Sequence, residues 1–311
     1  MSEHYWGWLV AIYLFLGGMG AGSFIIAAVL ELSGLRYKYD YCPTALVGAG
    51  VSGPLILIGT VLLILDLGAG MREPWRILLM FTNFRSVMTW GIWILSFFLP
   101  IAFLYGFLEV MHVYPQVLAW ARQRLRFLPE TLPYRRIKRG ICSIGIVLAV
   151  GTALYTGVLL SVVEAVPLWA TPILPALFLV SALSTGMGLC LDLAATLTVP
   201  DLHHRYKRLP IIHLALIGLE VALLALLLFL ALNQGGEAAE SARMILSGRE
   251  SIAFWVLIIG LGMAFPLLVH GYALVRQTHG YLAGILAGAG IVIAGLFVRY
   301  IIVAAAIPVT V

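Results

Sequence analysis

Ionisable side chains inside long apolar stretches are where chemistry should be sought in this sequence, because a charge at membrane depth is costly unless it faces a partner, water or a ligand. Tyr13, Asp66, Tyr155 and Arg299 each fall within an apolar run, and Glu164 and Arg85 lie at the edges of two such runs. At 1.5 Å per helical residue the four sit about 6 to 15 Å inside one boundary of the runs. A carboxylate, a cation and phenol hydroxyls at one depth can grip a head group that carries carbonyls and can exchange protons with it. A quinone requires that combination, since its electrons and protons travel together.

A second set lies toward the opposite boundary: Glu31, Glu109, His112, Asp192, His213 and His270, with Glu220 near the midplane. Glu109 and His112 share a helical face at i, i+3. Glu109, His112, Asp192 and Glu220 are expected to form a proton path, at successive depths of about 6 to 16 Å. Only the hydroxyls of Ser181, Ser184 and Thr185 stand between that path and the first set. The plainer alternatives are that Asp66 pairs with Arg72, Arg76 or Arg299 to orient helices, that Tyr13 is a packing aromatic, and that Glu31, His213 and His270 snorkel to water.

The elements that must hold these groups follow from composition. Of 311 residues, 62% are apolar and 11% charged, and the mean hydropathy is +1.04. Ordinary soluble domains carry roughly a quarter charged residues, so a soluble protein, a coiled coil and a disordered chain are excluded. Apolar runs occur at about 6–32, 42–70, 86–113, 140–165, 172–199, 209–233, 250–275 and 281–307. Each is long enough to cross the bilayer as a helix, which predicts an all-α polytopic membrane protein with eight transmembrane helices. The first run reads as a retained helix rather than a signal peptide. The breaker-rich loops at Gly68 to Pro74 and around Pro167, Pro172 and Pro175 lie at the end of the molecule that carries both termini.

An even number of crossings puts both termini on one side. The loops after the first, third, fifth and seventh runs hold thirteen Lys and Arg, against five in the loops on the termini side. By the positive-inside bias the termini face outward, across a cytoplasmic (inner) membrane. The basic loop 122–139 is expected to fix this orientation and to touch anionic lipid headgroups. Cys42, Cys142 and Cys190 lie in separate segments, so no iron–sulfur cluster or structural zinc is expected within the chain.

Several stretches carry a resemblance. WGWLVAIYLFLGGMGAG at 6–22, LDLGAGMREPWR at 65–76, NFRSVMTWGIW at 83–93, YTGVLLS at 155–161, PLWATPILPALFLVSALSTG at 167–186 and GLFVRYIIVAA at 295–305 resemble the NrfD/PsrC family, in order and over nearly the whole chain. This is the integral membrane, quinone-reactive subunit of polysulfide-reductase-type complexes. The resemblance implies two four-helix bundles, taken as 1–165 and 166–311, with an outer-side quinone site in the first. It also implies no haem, a docked four-cluster ferredoxin-like iron–sulfur subunit, and beyond that a catalytic molybdopterin subunit or a multihaem cytochrome.

Carried over residue by residue, the family's YTG tyrosine falls on Tyr155, the aspartate of its LDLG motif on Asp66 and its last-helix arginine on Arg299. These three are the expected catalytic residues. Tyr13, Glu164 and His4 join Asp66 and Tyr155 as expected ligands of menaquinone or menaquinol; His4 stands where some relatives have a histidine at the start of the first helix. Where the family reads Gly-Arg-Pro after its aspartate, this chain has Gly68-Ala69-Gly70, with Arg72 later. The loops 71–85 and 166–171, with Trp75, Arg76, Asn83, Arg85 and Trp169, are the expected docking surface for the iron–sulfur partner.

The function so read is that of the membrane subunit of a respiratory oxidoreductase complex. It exchanges electrons between the quinone and an extrinsic iron–sulfur subunit, with possible coupling to proton translocation, and terminal catalysis belongs to a partner. Nucleic acid is not an expected partner. A secondary transporter or channel using buried carboxylates is the first alternative, for which no repeat or paired broken helices are visible. A haem b-type cytochrome subunit is the second. It needs histidines on facing helices at matching depth, whereas His112, His213 and His270 cluster near one boundary.

Overall fold

The computed structural model describes residues 7–34, 43–66, 81–114, 116, 134–197, 208–276 and 281–309. His4, Trp75 and Arg76 lie outside the described residues, as do Arg72 and most of the basic loop. The described residues hold helices and no strand. These are α1 (Trp8–Leu32), α2 (Pro43–Asp66), α3 (Val87–Val113), α4 (Tyr134–Ser161), α5 (Ile173–Leu197), α6 (Arg208–Gln234) and a short α7 (Gly236–Ser247). A π-helical segment, Ala253–Ala264, then runs directly into α8 (Phe265–Arg276), and α9 (Tyr281–Ala304) follows. Eight of the helices are long and apolar enough to cross a membrane, one for each of the eight runs.

Apolar residues encircle most of these helices, so each is stable only where all sides meet lipid or another helix. The two environments are divided unevenly. Helix α1 is buried along most of its length, whereas α3 turns Phe97, Phe103, Leu104 and Phe107 outward, and α6 exposes Ile211, Leu219, Leu226 and Phe229. Pro54 and Pro100 sit inside α2 and α3 without ending them, as membrane helices allow.

Helices α1 to α4 pack around one core that includes Phe24, Phe98, Tyr105 and Ala149. Helices α5, α6, α8 and α9 and the π segment form the other group, and the two are broadly joined: α1, α2 and α4 lie against α5, and α1 also against α9. The seam between the groups is made by glycine: a Cβ at Gly22 would strike the Ala182 carbonyl, and one at Gly186 would strike the Ser23 amide. Backbones that close gain dispersion along their whole crossing, which is what holds helices together in lipid. At the far end of α1 the Trp8 ring stacks on Tyr300 of α9, with centroids 3.8 Å apart, so the start of α1 and the end of α9 lie on one face.

Two features of this architecture were not anticipated. The loop after the sixth run contains the amphipathic α7, which buries Ala238, Ala239, Ala242 and Ile245. Helix α4 begins at Tyr134, ahead of the apolar run at 140, and this draws Lys138 out of the basic loop and into the protein.

Candidate functional site

A narrow cleft, partly open to the outside, lies between α1, α2, α3 and α4 in their termini-side halves. Its walls are Leu14, Ile56, Leu63, Leu95 and Leu159, with Gly17 and Gly59 leaving the α1 and α2 faces flat. Tyr13 and Tyr155 bring phenol hydroxyls to it, each side chain 7% exposed. Thr60, Thr152 and Thr156 also line it, but their hydroxyls donate to the Ile56, Leu148 and Ala153 carbonyls of their own helices at 2.8, 2.9 and 2.7 Å. Each threonine therefore offers only oxygen lone pairs inward, and among the described lining residues Tyr13 and Tyr155 are the other hydroxyl groups at the cleft.

Tyr155 is held in place by α3. Its hydroxyl lies 3.5 Å from the Met88 carbonyl, a long contact, and its ring occupies the volume that a Cβ on Gly91 would need. Gly91 is thus the residue that admits the ring. Asp66 ends α2 in an exposed position, and both it and Tyr155 are within electrostatic reach of the Tyr13 hydroxyl.

Arg299 is elsewhere. Consecutive residues on α1 point about 100° apart on the helix, and here Gly17 faces the cleft while a Cβ at Gly18 would touch the Arg299 guanidinium at 2.8 Å. The arginine is fully buried on the α5, α6 and α9 side of α1. Its Nη1 donates to the Ser181 hydroxyl at 3.0 Å and the Gly295 carbonyl at 2.8 Å, and its Nη2 lies 3.5 Å from the Phe178 carbonyl. The Phe15 and Phe178 rings flank it. The acid beside it is Glu220, which also faces Ser181 and Ser184; Asp66, the partner suggested by sequence depth, is not its counter-charge. Depth along a helix says nothing about azimuth, and azimuth separates Arg299 from the cleft.

Glu164 sits exposed in the turn after α4 and does not line the cleft. Trp169 is a correction to the docking surface: it is 0% exposed, and its indole N–H donates to the Ile302 carbonyl at 2.7 Å. It anchors the α4–α5 turn onto α9 and has no face to offer a partner. Asn83 and Arg85 are exposed, beside an aromatic group in which Trp90 and Trp93 donate to the Phe84 and Phe81 carbonyls at 3.0 and 3.2 Å. Phe84 and Trp90 are each 56% exposed.

The four residues expected to form one proton path divide between the two groups of helices. Glu109 is buried against Lys138, 2.5 Å away, and the same ammonium reaches Glu31 at 3.2 Å. Tyr105 lies beneath the lysine and donates to the Ala27 carbonyl. His112, one turn on from Glu109, is exposed. Asp192, by contrast, packs against Gly288 of α9, in the same group as Glu220. Lys138 is the residue that sequence reasoning missed; its only signal was a lysine four residues into a helix whose apolar run had not yet begun. No cluster of three metal-ligating side chains occurs among the described residues.

Comparison with known proteins agrees with this architecture. The family described as "Polysulphide reductase, NrfD" matches residues 1–310. The protein is similar to the C component of the polysulfide reductase of Wolinella succinogenes, 30% identical over 94% of this sequence and 90% of that one. It is similar to protein NrfD of Escherichia coli, 28% identical over 96% and 93% of the two sequences. It is also similar to the C component of the selenate reductase of Mesobacillus selenatarsenatis, 25% identical over 96% of this sequence and 73% of that one.

Proposed function

The chain belongs to the NrfD polysulphide reductase family, and on that premise we propose that it is the membrane subunit of a respiratory oxidoreductase complex that binds menaquinone or menaquinol between Tyr13 and Tyr155 and exchanges electrons with an extrinsic iron–sulfur subunit. Relatives named as components of polysulfide and selenate reductases support membership of a multi-subunit reductase. The observation that carries the quinone reading is an apolar-walled cleft that, among the described residues, two phenols, Tyr13 and Tyr155, line. Such a site takes a flat apolar ring with few, directional polar atoms.

When bound, the quinone supplies a redox couple in which proton and electron transfer are linked. The protein's part is to bind, orient and protonate. Tyr13 and Tyr155 donate to the ring oxygens, and Gly91 fixes where the Tyr155 hydroxyl points. Asp66, exposed at the end of α2, exchanges a proton with water at the mouth. The aromatic surface around Phe84 and Trp90, with Asn83 and Arg85, suits the iron–sulfur partner. Catalysis on the terminal substrate then belongs to a molybdopterin subunit or multihaem cytochrome. Thirteen basic residues in the loops of the opposite face against five on the termini face favour a cytoplasmic membrane with both termini outward.

The test is Tyr155→Phe in the purified complex. Loss of one hydrogen bond predicts roughly tenfold weaker binding of a menaquinone analogue, and loss of a proton-exchanging hydroxyl predicts quinol-linked turnover lower by about a hundredfold. Subunit stoichiometry should be unchanged. Normal binding and turnover together would refute the site.

A further inference from the structure

The threonines of the cleft stand on two of its walls, Thr60 on α2 and Thr152 with Thr156, one turn apart, on α4. Each hydroxyl oxygen lies 2.7 to 2.9 Å from a carbonyl about one turn earlier in its own helix. A carbonyl has no proton to give, so the threonine proton lies on that bond. This is an ordinary way for a hydroxyl to be satisfied within a helix. In the cleft it has a one-sided consequence, because what each oxygen has left for a ligand is lone pairs. Thr152 and Thr156 are 1% and 5% exposed, so little bulk water reaches them to take those lone pairs instead. Tyr13 and Tyr155 differ, since a phenol hydroxyl rotates to donate or to accept.

The two redox forms of a quinone are nearly the same in shape and opposite in this chemistry. The oxidised ring carries carbonyl oxygens, which only accept, and the reduced ring carries hydroxyls, which also donate. A carbonyl oxygen set against threonine lone pairs gains no hydrogen bond. An O–H set against them gains one, and the bond that each threonine already donates polarises its oxygen and strengthens it as an acceptor. We propose that Thr60, Thr152 and Thr156 make the cleft selective for the reduced form, accepting from a quinol hydroxyl and offering no proton to a quinone carbonyl. The proposal rests on the quinone reading of the cleft and adds which redox form is held there. One hydrogen bond made by one form and not by the other is worth roughly tenfold in affinity. For a two-electron couple, tenfold tighter binding of the reduced form raises the potential by about 30 mV. The couple in the cleft is therefore more oxidising than the same couple in lipid, and the cleft takes up quinol even from a pool that is mostly oxidised.

Binding of menadione and of menadiol to the intact complex without oxygen tests this. Menadione is titrated into oxidised complex and menadiol into complex whose redox centres have been reduced, so that neither probe is turned over. The wild-type complex should hold menadiol roughly tenfold more tightly than menadione. Thr152→Val combined with Thr156→Val keeps the branched shape and removes both hydroxyls, while the Leu148 and Ala153 carbonyls stay within α4. Menadiol affinity should then fall by roughly tenfold with menadione affinity unchanged, and Thr152→Ser with Thr156→Ser should restore the preference. Thr60→Val is made separately on α2, so that the result does not hang on the assembly of one variant, and it too should weaken menadiol alone. Equal affinities for the two forms in the wild type would overturn the proposal. So would valine variants that weaken both forms alike, as lost packing would, or that weaken menadione the more, as a lost donor would. A wild-type complex that binds neither form would instead remove the quinone reading and, with it, the proposal's premise.

Discussion

Among the described residues each group of helices buries one lysine or arginine, and the two are treated in opposite ways. Lys138, in the first group, contacts two carboxylates at 2.5 and 3.2 Å. Arg299, in the second, is held by a serine hydroxyl and backbone carbonyls, with its acid Glu220 an electrostatic neighbour rather than an ion-pair contact. A buried charge clamped by two opposite charges has nowhere else to go, and its removal strands both partners. A buried charge held by neutral dipoles keeps a fixed position, and its loss strands no ion-pair partner. The first arrangement suits a structural rivet between α1, α3 and α4, and the second ties the guanidinium to α5 and to its own helix through neutral dipoles.

The sharpest way to break this contrast is Lys138→Met. Stranding Glu31 and Glu109 should cost about 3 to 5 kcal/mol, the range for breaking a buried pair, and should appear as a large drop in thermal midpoint or in recovered protein. If the variant folds normally, the rivet reading fails. Arg299→Gln should cost less, about 1 to 3 kcal/mol, because it replaces a donor by a shorter donor and leaves a single acid uncompensated. Equal losses in the two variants would erase the distinction. Between these in mechanism stands Gly91→Ala, where the added methyl meets the Tyr155 ring. Overpacking of this kind costs about 1 to 3 kcal/mol, and here it should be read mainly as lost analogue binding rather than lost assembly.

Much of the fold was legible before any coordinates, and the reason is physical. Lipid demands about 20 apolar residues per crossing, so eight crossings are written into composition alone. What sequence could not supply was azimuth and reach. Arg299 and Tyr155 lie at similar depths, and only the close contact at Gly18 reveals that α1 stands between them. Lys138 looks like one more orienting charge because its four-carbon stem lets an ammonium enter the protein from a helix that starts among arginines. Trp169 illustrates the same limit, since an aromatic in a breaker-rich loop reads as an interface residue until its indole is seen bonded to Ile302. Tyr13 and Tyr155 stood out as phenols at one depth in apolar runs, and both line the cleft, whereas Tyr105, in a similar run, is packed in the core.

Two smaller effects refine the comparison. Trp169→Phe should remove a single buried hydrogen bond, lowering stability by about 1 kcal/mol while leaving partner stoichiometry untouched in pull-down of the complex. Loss of the partner would restore Trp169 to the docking surface. Arg85→Ala, at an exposed position, should change partner affinity by less than about 1 kcal/mol at moderate salt, and mostly through the association rate. A salt-independent loss would point to a desolvated contact instead.

The glycine seam between α1 and α5 also constrains how the chain comes into being. Gly22 and Gly186 meet backbone to backbone, yet some 160 residues of sequence separate them. At ribosomal rates of about 5 to 20 residues per second, α1 waits about 10 to 30 s for the helix that will cover its glycine groove. During that interval the groove, and the place on α1 where Arg299 will later rest, face lipid or the insertion machinery. Synthesis therefore passes through a stage in which the first group of helices is threaded but unsealed, and a slower translation through 33–172 lengthens the time for which a stray small-residue helix can occupy the seam in place of α5.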